Sequence, residues 1–250
     1  QSSRNSGVMH AGLYYKPGSL KANLSRKGIK MMKEYCNKNN IKWEECGKIV
    51  IATGNNELER LNALFKRGIE NGLRGLKKLD SKDVNNIEPY VNAKSGILVP
   101  EESIVNYKNV AQSYQNEINS YGGFIRNSSK VIAVNDQTNY QEIILHTGEK
   151  IKADVVIATA GLYSDKVAKM LNIDIDNKQT VPFRGEYYLL KPEFNYLVKG
   201  LIYPVPNPSL PFLGVHFTKM IDGGVEAGPN AVLALAREGY NWRTINLNEF

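Results

Sequence analysis

The sequence predicts an α/β core carrying an inserted α+β region, and three observations predict it. Up to Gly123, helical and strand-like segments interleave. From Phe124 onward, short β-rich runs follow one another, separated by Gly, Asp and Pro turns. Among them ADVVIATAG is a near-continuous apolar strand that runs through a small-residue turn into the helical LYSDKVAKML, the pattern of a strand covered on both faces. At 250 residues the chain holds one large domain or two smaller ones, with ample material for a core.

PGSLKANLSRKGIKMMKEYCNKNN sets Leu20, Leu24, Met31 and Tyr35 near helical spacing, with Ser19 as the cap. GKIVIAT is a short strand. NELERLNALFKRGIENG puts Leu58, Leu61, Leu64, Phe65 and Ile69 on one helical stripe that stops at Gly72. SKDVNNIEP is a short capped helix halted by Pro89, and GILVPEESIVNYKNVAQSYQNEINSYGG is a strand, a turn and a helix. KVIAVND, EIILHTGEKI and ADVVIATAG are β-rich, with a turn at Thr147-Gly148. After Pro182 come RGEYYLL, LIYPVP, FLGVHFTKM and GGVEAGP, with Asp222-Gly223-Gly224 as a hairpin turn.

Composition removes several function classes. The formal charge is +7, but Lys and Arg are spread along the chain without a dense basic block, so no nucleic-acid footprint is expected. No apolar run approaches the roughly 18 residues of a membrane-spanning helix. Cys36 and Cys46 lack metal-ligand spacing and read as free thiols of a reducing compartment, so no metal is expected and a cytoplasmic location is. The chain opens on Gln and ends on NWRTINLNEF; both ends read as the interior of a longer protein.

The chemistry-bearing residues fall into a few places. In VVIATAG-LYSD, the small residues Ala160 and Gly161 let backbone approach a ligand, though such a turn also occurs with nothing bound. His10 sits among Ser6, Gly7, Ala11 and Gly12, where little bulk competes for space. His216 alternates with Val215 and Phe217 and so points to the opposite strand face, as a core-edge histidine or a site residue. His146, beside a hairpin turn, is an ordinary strand or surface residue. An imidazole exchanges protons near neutral pH. Arg184, followed by Tyr187 and Tyr188, offers a carboxylate fork; the alternative is a surface pair with Glu186.

SSRNSGVMHAGLYYKPGSLKA, VVIATAGLYSDKVA, VPFRGEYYLL, YPVPNPSLPFLGVHFT and GGVEAGPNAVLALAREGY, in this order, resemble the L-2-hydroxyglutarate oxidase/dehydrogenase group of the D-amino-acid-oxidase-like flavoproteins. The resemblance implies an incomplete FAD-binding Rossmann-like domain (1–45, 103–178 and 220–250). Into it is inserted an α+β substrate domain with a mixed sheet (46–102 and 179–219). The family's G-x-G-x-x-G pyrophosphate cradle is not in this sequence; in such proteins it precedes the SSRNSG segment.

The implied reaction is oxidation of a 2-hydroxy acid by hydride transfer to FAD, with quinone or oxygen as electron acceptor. Peripheral association with the inner membrane is implied too. Carried onto these positions, His216 is the first choice for the base. His10 is the alternative, beside the isoalloxazine ring. Arg184 with Tyr187 or Tyr188 clamps a carboxylate, and Lys219 and Arg4 are available for a second. Arg4, Ser6, Gly7, His10, Ala160, Gly161, Gly228, Pro229 and Asn230 would approach the cofactor. Rival readings are an amine, amino-acid or glycerol-phosphate oxidising enzyme of the same superfamily, or a non-enzymatic binding module.

Overall fold

The computed structural model describes residues 4–209 and 213–246. In chain order its elements are β1 (Val8–Met9), α1 (Leu20–Lys38), β2 (Trp43–Glu44), β3 (Lys48–Ala52), α2 (Leu58–Glu70), β4 (Lys77–Asp80), α3 (Ser81–Ile87), β5 (Ser95–Val99), β6 (Ser103–Val105) and α4 (Tyr107–Ser120). They continue with β7 (Val131–Asp136), β8 (Gln141–Leu145), β9 (Lys150–Ala153), α5 (Ser164–Met170), β10 (Phe183–Leu189), β11 (Leu201–Pro204), β12 (His216–Lys219) and β13 (Val225–Leu233). The interleaving up to Gly123 and the β-rich remainder are as predicted.

The contacts divide the chain into two compact units, residues 1–121 with 185–230, and residues 122–184 with 231–250. The first unit is built on a mixed sheet of order β10-β13-β12-β11-β3-β5-β4, in which β11 and β3 run parallel. β13, assigned from sequence to the cofactor segments, pairs antiparallel with β12, because the Asp222-Gly223-Gly224 turn folds the two back on each other. Gly223 and Gly224 sit at φ 98° and 93°, which the turn requires and a side chain resists.

Alternation along the strands gives this sheet two apolar faces. Val50 and Ala52 of β3 pack with Leu61 and Leu64 of α2 on one face; Ile49 joins Leu79, Val84, Val198, Ile202 and Val225 on the other. Each fully buried aliphatic contributes roughly 1.5–3 kcal/mol relative to exposure. Gly68 lets α2 sit close, since a Cβ there would lie 2.6 Å from Leu76 Cδ1 and 2.8 Å from Leu13 Cδ1.

Helix α1 starts as predicted, with the Ser19 hydroxyl accepting from Ala22 N–H. Its buried line differs from the predicted stripe: Ala22, Ile29 and Cys36 face inward, whereas Leu20, Leu24 and Met31 are exposed. That line, flanked by Met32 and Tyr35, packs on the core, while Leu20, Leu24 and Met31 lie on the outer side of the helix. A three-stranded sheet of order β1-β6-β2 completes the unit.

The second unit contains the antiparallel sheet β7-β8-β9 and helix α5. Arg237, almost fully buried, grips Asp165 with two bonds of 2.5 and 2.6 Å. That grip holds the Asp165 carboxyl well below the usual range. The ADVVIATAG strand is a correction. Pairing ends at Ala153, and Val155 and Ile157 are 74 % and 82 % exposed. An apolar run signals a segment that needs a partner, and among the described residues no strand lies alongside this one.

Candidate functional site

The first unit contains a cleft of about 240 Å³ lined by Ser6, His10, Gly12, Leu13, Tyr14, Tyr15, Glu102, Tyr187, Tyr203, Leu213 and His216. Sheet register builds one wall. Leu201 lies opposite Lys48 and Tyr203 opposite Val50 across the parallel pair, while Ile202 faces Phe217 on β12. One step further along, the Tyr203 ring meets His216, stacked with centroids 3.9 Å apart and planes at 21°. Beyond His216 the sheet presents Gly228, its partner on β13. A Cβ at Gly228 would come within 2.6 Å of Tyr187 Cδ1, so only the bare backbone lets the Tyr187 ring lie there.

The opposite wall comes from the small sheet. β1 and β6 pair with Met9 against Ser103, which sets the next residues, His10 and Glu102, face to face. Glu102 Oε2 lies 3.2 Å from His10 Nδ1, and its Oε1 accepts from Lys48 Nζ at 2.7 Å. The Lys48 and Glu102 side chains have no solvent exposure, whereas His10 is 42 % exposed toward the cleft side of the network. Burial by itself would raise the Glu102 pKa, but the Lys48 charge and the His10 hydrogen bond outweigh it and hold the group at about 2.

That value sits below the ordinary 4.5, so Glu102 adds stability above its unfolded value and loses it as pH falls from 4.5 to about 2. The urea midpoint should therefore drop more steeply over this window in the unaltered protein than in a Lys48→Met/Glu102→Gln variant. Parallel pH profiles would remove Glu102 as the source.

His216 is 6 % exposed. Burial pushes its imidazole below the ordinary value; the Gly214 carbonyl opposes this, and the charges of His10 and Lys48 add to it. His216 Nδ1 lies 3.0 Å from Gly214 O. A carbonyl can only accept, so the neutral ring carries its proton on Nδ1 and leaves the Nε2 lone pair as a base.

The structure thus brings together His10, His216, Ser6 and Tyr187 from the predicted set. Gly7, at φ 70°, borders a second hollow and has Val105 O 3.0 Å from where its Cβ would be. Tyr188 is 81 % exposed and absent from the cleft lining, because neighbours on a strand face opposite ways. Lys219 is engaged by Glu44 at 2.5 Å, Arg4 is exposed, and Pro229 and Asn230 follow Gly228 on β13.

Ala160, Gly161 and Arg184 belong to the second unit. There Arg184 Nη1 donates to Gly239 O and Asn241 O, with the guanidinium over the Trp242 ring. His146 is exposed at its turn, as expected. Leu210, Pro211 and Phe212 of the YPVPNPSLPFLGVHFT motif lie outside the described residues.

Lys48, Glu102, Tyr14 and Tyr203 were not predicted. A lone lysine inside the apolar GKIVIAT strand is a legible signal for Lys48. Nothing in PEES distinguishes Glu102 from Glu101, which instead pairs with Arg26 at 2.9 Å on the surface side.

Comparison with known proteins gives this geometry a family. The chain is 47% identical, over its full length and 62% of the relative's, to an L-2-hydroxyglutarate dehydrogenase of Indibacter alkaliphilus. It is 43% identical, over 96% of itself and 54% of the relative, to the human mitochondrial L-2-hydroxyglutarate dehydrogenase. The chain thus spans 62% and 54% of the length of these two curated relatives. Among solved structures, a dithionite-reduced L-α-glycerophosphate oxidase from Mycoplasma pneumoniae with FAD bound superposes with TM-score 0.85. It is 23% identical and covers 95% of this chain and 63% of its own. The family model described as FAD dependent oxidoreductase matches residues 1–250, so the chain belongs to the DAO family of FAD-dependent oxidoreductases.

Proposed function

We propose that the protein carrying this chain oxidises L-2-hydroxyglutarate to 2-oxoglutarate with FAD as hydride acceptor and His216 as base. The names and identities of the relatives support the substrate. One observation carries the mechanism: a buried imidazole, its Nδ1 tied to a carbonyl and its ring stacked on Tyr203, opens on a cleft that a second imidazole shares.

The cleft suits the ring end of FAD. Its walls are mostly aromatic and aliphatic, with Ser6 and Glu102 as polar exceptions, and the Tyr14 hydroxyl in that wall is buried with no hydrogen-bond partner among the described residues. Ser6, Gly7 and His10, with Gly228, Pro229, Asn230 and Arg4, are the residues of the first unit proposed to hold the cofactor. No residues are assigned to the pyrophosphate, since no G-x-G-x-x-G occurs in this sequence.

When bound, FAD supplies the two-electron acceptor for the hydride leaving the substrate carbon. His216 Nε2 takes the hydroxyl proton, so the O–H bond breaks as an N–H bond forms and the carbinol becomes a ketone. Tyr203 fixes the imidazole plane, and the Gly214 carbonyl fixes its tautomer. Tyr187, in the cleft wall, is proposed as a donor to a substrate carboxylate. A quinone or oxygen then takes the electrons, with peripheral attachment to the inner membrane in the quinone case; no helix of the described residues is long and apolar enough to cross a membrane.

The test is anaerobic bleaching of the FAD-loaded protein by L-2-hydroxyglutarate, its D-enantiomer, glycerol 3-phosphate and glycine. Rapid bleaching by the first alone is expected. Bleaching by glycerol 3-phosphate or glycine instead would replace the substrate assignment.

A further inference from the structure

We propose that Lys48 and Glu102 are a positioning pair for His10: Glu102 holds the His10 proton on Nδ1, so that Nε2 is the nitrogen presented to the cleft.

Because β1 and β6 pair with Met9 opposite Ser103, the chain directions set His10 and Glu102 opposite each other 92 residues apart. The carboxylate is then divided between two partners, with Oε2 3.2 Å from the imidazole and Oε1 2.7 Å from the ammonium. An ionised carboxylate has no proton to give, so His10 Nδ1 must be the donor whatever the state of Nε2. The structure thereby selects one tautomer, as the Gly214 carbonyl does for His216.

Both charged side chains are wholly buried, Lys48 on the sheet face that also carries Val50, Ala52 and Leu201. Such a pair is often replaceable by apolar side chains without loss of stability, because desolvation cancels much of the attraction. Packing alone therefore does not call for it here. What the pair adds is a fixed acceptor at the edge of the cleft.

Lys48 keeps that acceptor ionised and is itself held between two rings, with Nζ 4.7 Å from the Tyr14 centroid and 5.0 Å from that of Tyr203. Tyr203 is the ring stacked on His216. One buried ammonium therefore braces both imidazoles, His10 through a carboxylate and His216 through an aromatic ring. Glu102 and Lys48 do not line up as reacting groups; they act through His10.

The kinetic side of this inference rests on the cleft being the oxidation site, but the tautomer does not. The first measurement is the ring-nitrogen correlation spectrum of 15N-histidine-labelled, FAD-loaded protein without substrate, at a pH where His10 is neutral. His10→Gln assigns the signal. A single Nδ1–H tautomer for His10 is expected. An Nε2–H tautomer in the unaltered protein overturns the proposal with no variant needed.

The second measurement uses Lys48→Met/Glu102→Gln, which removes both charges together. The Gln amide can offer either oxygen or nitrogen, so the expected spectrum is a mixture of tautomers. Outer-shell partners of metal-bound histidines are worth about 10–100-fold in activity, and a loss of that order is expected here in the limiting rate of flavin reduction, with a smaller change in KM. A folded double variant that keeps the pure Nδ1–H tautomer and the full rate sinks the positioning role. Failure of L-2-hydroxyglutarate as substrate, with the tautomer as expected, sinks only the proposed function.

Discussion

Replacing His216 by glutamine is expected to slow flavin reduction by L-2-hydroxyglutarate by roughly 10²–10⁴-fold, the range lost with a general base. Stopped-flow bleaching of the FAD-loaded protein reads it directly. The pH profile of the unaltered protein supplies an independent sign. The base works only unprotonated, and burial lowers the His216 value below 6.5. The rate should therefore be complete at neutral pH and fall on the acid side, with its midpoint below 6.5. A loss of less than tenfold in the variant, or an acid limb centred above that value, would assign the base elsewhere, with His10 next in line.

The second large effect concerns stability. Lys48→Met leaves the Glu102 carboxylate buried without its ammonium, and breaking one side of such a pair costs about 3–5 kcal/mol. Among the described residues the other partner of that carboxylate is His10, at 3.2 Å from Oε2, and it is partly solvent-exposed. Adding Glu102→Leu to Lys48→Met should then recover most of the loss, since the two apolar side chains meet each other beside the face that carries Val50 and Leu201. Urea midpoints of the two single variants and the double form the cycle. Additive losses would show that the two side chains do not act as a unit.

Much of the local structure was legible because it follows from short-range rules. Ser19 begins a helix because its hydroxyl reaches Ala22 N–H, and the paired glycines after Asp222 turn a hairpin because positive φ costs them nothing. His216 faced the right way because strand side chains alternate: Val215 and Phe217 are exposed while His216 is buried. Two errors share a cause. Apolar residues at Leu20, Leu24 and Met31, or along Val155 to Ile157, show that a segment has an apolar face and say nothing about what lies against it.

The sequence by itself determined the family, the order of helices and strands, the two histidines of the cleft and the orientation of one of them, because capping, turn chemistry and side-chain alternation act over a few residues. Only the tertiary structure decided that Lys48 meets Glu102 across 54 residues and Glu102 meets His10 across 92. Those contacts come from strand register, which is set by the packing of whole sheets; the lysine in an apolar strand is legible nearby, but its partner is not.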